Sequence, residues 1–164
     1  MPPEKRAQDF MAYRKTLVLG TVGADGTPTA SYAPFVQQNN FYIYTSALSR
    51  HTSDLQEIPK ASILFIEDEA GVSNLFARKR ITFSCDVEVI PRWCDEWVSV
   101  MEHFGEKFGS IFDAIRPLGD FVLFCLKPYE AVYVEGFGQA YRLNADLTNA
   151  VHVKGTGPGA KEHT

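Results

Sequence analysis

The chain is 164 residues long, with 45% hydrophobic and 22% charged residues, which suits one globular domain with a buried core and leaves little room for a second. A net charge of -4 and a pI near 5.5 argue against a nucleic-acid protein, because phosphate contacts need a basic face. No apolar run approaches the roughly 20 residues that span a bilayer, and the opening MPPEKRAQDF lacks the apolar core of a signal peptide, so a cytoplasmic protein is expected.

Residues 3–13 read as an amphipathic helix, with Pro near its start and Phe10, Met11 and Tyr13 as its apolar side. Residues 16–22 form a β-rich run. Asp25-Gly26 then supplies a hairpin turn into a second strand at 28–36, and Asn39-Asn40 turns it into a third. In that third strand Phe41, Ile43 and Thr45 alternate with Tyr42 and Tyr44, the period of two of a half-buried strand. Three antiparallel strands in succession favour a barrel or sandwich.

Residues 51–58 fit a short helix with Thr52 or Ser53 as N-cap, stopped by Pro59. Residues 61–67 are an apolar strand, followed by the acidic block Glu67-Asp68-Glu69, read as a solvated loop, and a short helix near 73–76. Ala77-Arg78-Lys79-Arg80 opens the next strand, which alternates down to Ile90. Its three cations suit either an exposed edge that resists pairing or a ligand cleft.

Residues 91–108 give the clearest helix, with Trp93, Trp97, Val100, Met101 and Phe104 as a core stripe and His103 beside it on the surface. Two strands at 121–126 and 131–135 follow. The run 136–142 then carries glycines that mark either a bend or a close backbone approach. The expected fold is therefore mainly β with flanking helices, an antiparallel barrel over 1–150, with a Gly-rich tail over 151–164. Cys85, Cys94 and Cys125 have no C-x-x-C spacing and read as unpaired, with Cys85 and Cys125 as buried apolar residues.

The chemistry concentrates after the third strand. Ser46, Ser49, Arg50 and His51 place hydroxyls, a guanidinium and an imidazole at the open end of a sheet, where an anion can sit. No G-x-S-x-G or H-E-x-x-H is present.

The segment Y-T-S-x-x-S-R-H-x-x-x-L, from Tyr44 to Leu55, resembles the Y-T-N-x-x-S-R-K-x-x-x-L segment of pyridoxamine 5'-phosphate oxidases. That resemblance implies a split β-barrel whose Arg and Lys grip the phosphate of FMN. Here the Lys is His51, and the strand SYAPFV lacks the oxidases' basic residues. Together with I-E-D-E, L-F-A-R-K-R and G-F-G-Q-A-Y, the pattern is instead similar to the HutZ/HugZ-type haem-utilisation proteins of the same superfamily.

This second resemblance covers residues 14–152 and implies haem as cofactor, with FMN as the alternative. It also implies a homodimer with the site at the subunit interface, and an external electron donor for opening the ring to a bilin with release of iron. In that family an Asp at the head of a D-F-x-L-F strand partners the iron's histidine across the interface; Asp120-Phe121-Val122-Leu123-Phe124 matches it.

The family's tail resembles V-H-L-x-x-G-H, whose last His ligates iron. This chain has Gly157 there, so the ligand falls to His163, with His152 as the alternative. Ser46, Ser49, Arg50, His51 and Arg80 are the implied cofactor-binding residues. A carrier that stores haem without degrading it would use the same residues.

Overall fold

The computed structural model of the protein describes residues 1–154. Along the chain run α1 (Pro3–Ala12), β1 (Thr16–Val22), β2 (Pro28–Pro34), β3 (Val36–Gln38), β4 (Asn40–Ser46), α2 (Arg50–Glu57) and β5 (Lys60–Ile66). Then come β6 (Arg80–Ile90), α3 (Asp95–Phe108), α4 (Ser110–Ile115), β7 (Phe121–Gly136), β8 (Gln139–Leu143) and β9 (Val151–His152). The strands are antiparallel in the order β2-β1-β5-β6-β7-β4-β3, with β8 paired to β7 and β9 to β8.

Strands β2 and β3 lie at opposite ends of that order, yet only Phe35 separates them in the chain. The sheet must therefore curl until its two edges meet. The edges share no ladder, so the result is a split barrel. This corrects the single strand expected over 28–36: the backbone turns at Pro34-Phe35, where the Phe35 amide donates to Lys15 O at 3.2 Å.

Inward residues at every second position fill the barrel. Phe35, Phe41, Phe65 and Phe83 form its centre, with ring centroids 5.0 to 5.9 Å apart, mostly edge-on or tilted. Ala7 and Met11 of α1 close over this core, and the Arg6 guanidinium forks onto the Glu135 carboxylate with Nε–Oε2 at 2.7 Å and Nη2–Oε1 at 2.5 Å.

A second core lies under α3, where Trp97, Val100, Met101 and Phe104 pack on Tyr42, Tyr44, Leu123 and Cys125. The expectation that β4 is half-buried is thus corrected, since Phe41 to Thr45 are all buried, one face in the barrel and the other under the helices.

Three further expectations change. Helix α3 starts at Asp95 rather than at 91, because Trp93 takes a left-handed φ of 72° and ends any helix there; its indole is 73% exposed rather than in the core stripe. The strands expected at 121–126 and 131–135 are one 16-residue strand. Cys85 pairs with Pro128 and Ser84 with Glu130, so Tyr129 is the extra residue of a bulge, the device that tolerates a proline inside a sheet. The helix expected near 73–76 is a single 3-10 turn over Leu75–Ala77.

Cys85, Cys94 and Cys125 are free, and burial pushes the Cys85 thiol up to about 12, so it is inert at neutral pH. No helix among the described residues is long and apolar enough to cross a membrane.

Candidate functional site

Ser46 ends β4 opposite Phe121, the first residue of β7, and this pairing brings Asp120 beside it. The Ser46 hydroxyl donates to Asp120 Oδ2 at 3.0 Å and accepts from the Leu48 amide at 3.1 Å, while the Ala47 amide donates to Asp120 O at 2.7 Å. The carboxylate is therefore exposed but oriented.

Below it lies a buried hydroxyl pair. Thr52 is fully buried; its hydroxyl donates to Ser46 O at 2.6 Å and meets the Thr45 hydroxyl at 2.8 Å. Thr52 thus ties the first turn of α2 to the end of β4. The N-cap position belongs to Ser49, which makes no side-chain capping bond, and not to Thr52 or Ser53 as expected. Asp54, also buried, accepts from Thr21 Oγ1 at 2.8 Å and fixes the same helix against β1.

Arg50 opens α2 at the surface and, with Ala47, Ser49, Ser53, Asp25 and Glu57, lines an open cavity of about 520 Å³. The Asp25 carboxyl is held below its usual range, chiefly by the Thr27 amide and hydroxyl, with the Arg50 charge adding to this. His51 is half-buried, and its Nε2 is out of water without a hydrogen-bond partner. Burial lowers its pKa, against an opposing pull from Asp54, so the imidazole is neutral at pH 7.

Arg80 does not join this group. It opens β6 opposite Ile66 and Val134, and from Phe121 to Val134 along β7 is roughly 40 Å at about 3.3 Å per residue. At that far end the Arg80 guanidinium donates to Arg78 O at 3.0 Å. Arg78 itself folds back onto Glu67 O, and the Lys79 amide donates to the Glu67 carboxylate at 2.7 Å. The acidic block expected to be a solvated loop thus closes the 67–79 loop through Glu67, leaving Asp68 and Glu69 exposed.

Of the three cations, Arg78 is spent on structure. Neither Arg50 nor Arg80 has a carboxylate within 4.0 Å among the described residues. The Leu75 and Phe76 side chains stand 58% and 85% exposed in the same loop, and Leu48 is 92% exposed beside Asp120.

His152 also lies at the Arg80 end, on β9. Its Nε2 is 2.6 Å from Gly138 O, and since a carbonyl only accepts, that nitrogen carries the proton. His163 lies outside the described residues. His103 is a helix-surface residue with Gln38 Nε2 at 3.1 Å, as its position suggested. No group of three or more His, Cys, Asp or Glu among the described residues could hold a metal ion.

Sequence reasoning assigned no site role to Thr52 or Arg92 and read Tyr44 and Thr45 only as hydroxyls at the strand end, yet all four hold the Ser46–Asp120 corner. Nothing in a run of β-formers distinguishes a threonine that bonds a strand end from one that packs.

Residues 3–135 match the profile of the pyridoxamine 5'-phosphate oxidase family. The chain is 43% identical over 153 residues to the haem oxygenase HutZ of Vibrio cholerae, covering 92% of this chain and 87% of that protein. The crystal structure of HutZ, there described as a haem storage protein, superposes with a TM-score of 0.75 over 78% of this chain and 91% of its own. Campylobacter jejuni ChuZ, 31% identical, superposes with a TM-score of 0.85 over 96% of this chain and 65% of its own.

Proposed function

The chain belongs to the pyridoxamine 5'-phosphate oxidase family, on its HutZ-type branch, and from that premise we propose that it binds haem as a homodimer and opens the ring to a bilin-type tetrapyrrole, releasing iron. The observation that carries this reading is the corner where Asp120 accepts from Ser46, five residues before His51. An oriented, exposed carboxylate stands beside an anion-binding segment whose second cation has become a neutral imidazole.

The residues fit haem better than FMN. A flavin phosphate needs the second cation that His51 does not supply, and among the described residues the segment around Ser31 to Val36 adds none. Haem needs an apolar slot, cations for its propionates and one iron ligand. The exposed Leu48, Leu75 and Phe76 suit the macrocycle edge, and the unpaired Arg50 and Arg80 suit the propionates.

One ligand cannot touch both ends of one β7, but two subunits related by a two-fold axis can place the Asp120 end of each against the Arg80 end of the other. An outward row across the sheet, Tyr32-Val18-Leu64-Thr82-Val132, supports that packing: it is apolar or small and only half covered.

Haem, when bound, supplies the iron-centred redox chemistry with dioxygen, and an external reductant supplies electrons. The chain's own part is to orient. Asp120 accepts a hydrogen bond from the N–H of the ligand imidazole of the partner subunit, which makes that imidazole more electron-donating. Ser46 fixes the carboxylate by donating to its Oδ2.

The engaged donor of His152 leaves it no N–H for Asp120, which favours His163 as the ligand. Arg50, Arg80 and the hydroxyls of Ser46 and Ser49 hold polar edges of the cofactor, while His51 stays uncharged beside them.

Hemin titration of the apoprotein tests the reading. A stoichiometric Soret band is expected, bleached by ascorbate in air with chelatable ferrous iron appearing; H163A should abolish iron ligation, H152A should not, and D120N should slow bleaching. A Soret band that ascorbate leaves intact would support storage, as in the description of the HutZ crystal structure. Tight FMN with indifference to hemin would sink the haem reading.

A further inference from the structure

Asp120 sits in a turn that makes little packing of its own: Pro117, Leu118, Gly119 and Asp120 are all exposed. What holds it comes from elsewhere in the chain. Arg92, just past the end of β6, places its Nη2 2.7 Å from Leu118 O and 3.1 Å from Phe121 O, the carbonyls on either side of Asp120. The same nitrogen lies 3.1 Å from Tyr44 Oη, and Tyr44 donates in turn to Arg116 O at 3.1 Å. Three backbone carbonyls of the 116–121 segment thus converge on one guanidinium and one phenol, with the Arg92 guanidinium carbon 5.7 Å from the Trp97 ring centre.

We propose that Arg92 is the positioning residue for Asp120, with Tyr44 as its support, so that the carboxylate presented to the partner subunit is aimed from the far side of the second core. The inference rests on the haem role proposed for Asp120. Its physical basis is that Arg92, among the described residues, has no carboxylate partner, so its charge is spent on carbonyl dipoles. Charge-assisted bonds of this kind are about twice as strong as neutral ones.

All three contacts come from Nη2, whose two N–H groups are shared among the two carbonyls and the phenol, and the guanidinium carbon lies 5.7 Å from the Trp97 ring centre. A lysine ammonium keeps the charge but not this planar geometry. A carboxylate that must meet an imidazole N–H at hydrogen-bond distance tolerates less than about 1 Å of drift. Ser46 fixes one carboxylate oxygen and the Ala47 amide holds the Asp120 carbonyl, but the stronger, charge-assisted bonds to the carbonyls on either side come from Arg92.

The test compares R92M and R92K with wild type and D120N, first without haem. The Ala47 amide, which donates to Asp120 O, should exchange at least about tenfold faster in R92M, with R92K between, while the amides of Phe41 and Ile43 in the preceding strand β4 keep their protection.

With hemin bound and reduced, the iron–imidazole stretching frequency of R92M should move toward that of D120N, and R92M/D120N should match D120N alone. Unchanged exchange at Ala47, or a wild-type stretching frequency in a destabilised R92M, would overturn the proposal and leave Arg92 as a fold brace. If hemin fails to bind wild type, the haem reading falls by itself and the exchange arm still decides whether Arg92 holds Asp120.

Discussion

Replacing Thr52 by Val and by Ser separates hydrogen bonding from packing at the corner that carries the candidate site. Thr52 is fully buried, donates to Ser46 O at 2.6 Å and meets Thr45 Oγ1 at 2.8 Å. Valine keeps the shape but leaves the buried Thr45 hydroxyl without its partner, at about 1–3 kcal/mol, and takes one of two donors from Ser46 O, which keeps the Ser49 amide at 3.1 Å. Allowing for relaxation, T52V should lose about 2–3 kcal/mol, a fall in Tm of about 4–12 °C for a chain this size.

Serine keeps the hydroxyl and loses one buried methyl, worth about 1 kcal/mol. Apolar burial alone orders stability as Val, Thr, Ser. The hydrogen-bond argument orders it as Thr, Ser, Val. Urea unfolding of the three proteins, with equal m-values, decides between the two. A T52V protein at least as stable as T52S would refute the view that this hydroxyl holds Ser46.

His51→Lys should raise FMN affinity about tenfold or more, since one charge-assisted bond to phosphate is worth about 1.5–3 kcal/mol; flavin fluorescence quenching reads it, and unchanged affinity would remove His51 as the discriminating position. Arg6 holds the Glu135 carboxyl below its usual range, so the stability it contributes is present above pH 4.5 and is lost as pH falls through the lowered native value. E135Q should therefore cost about 1–2 kcal/mol at pH 7, less than a fully buried pair because Arg6 is 37% exposed, and the gap to wild type should shrink at pH 3. Leu64→Arg on the outward sheet row should yield monomer by ultracentrifugation together with lost hemin binding; a haem-binding monomer would contradict the shared site. A 1:1 mixture of D120N and R80M chains should regain about a quarter of the wild-type sites, because each mixed dimer holds one intact pair, whereas sites built within one chain would regain none.

The strands were legible because their inward positions alternate, as in Leu17, Leu19 and Thr21 or Ile81, Phe83 and Cys85. Where the reading failed, tertiary context outweighed local pattern. Pro128 looked like a break between two strands because proline cannot donate to a ladder, but a bulge absorbs it, and only the partner strand β6 reveals that. Trp93 matched the helical spacing of a core residue, yet its left-handed backbone, set by the turn after β6, takes it out of the helix. The corner of Ser46, Arg50, His51 and Asp120 was visible as motifs, although Ser46 and Asp120 are brought together only by the β4–β7 register. Arg92 was not visible, since its partners are backbone carbonyls that no sequence pattern marks.

The length of β7 bears on the proposal that motifs at 46–51, 80 and 120 form one site from two chains. A strand of 16 residues is far longer than a macrocycle, so residues at its two ends answer to different ligands unless a second chain runs alongside. Antiparallel packing of two such strands about a two-fold axis brings opposite ends together twice, giving two equal sites and leaving neither in isolation. In the proposed dimer a neutral His51 would not abolish anion binding, because the Arg80 end of the second chain would add positive charge at a different distance and angle. A phosphate gripped at one point would bind less well, and a dianion whose two carboxylates are several ångströms apart would bind better, which is the difference between a flavin and a haem.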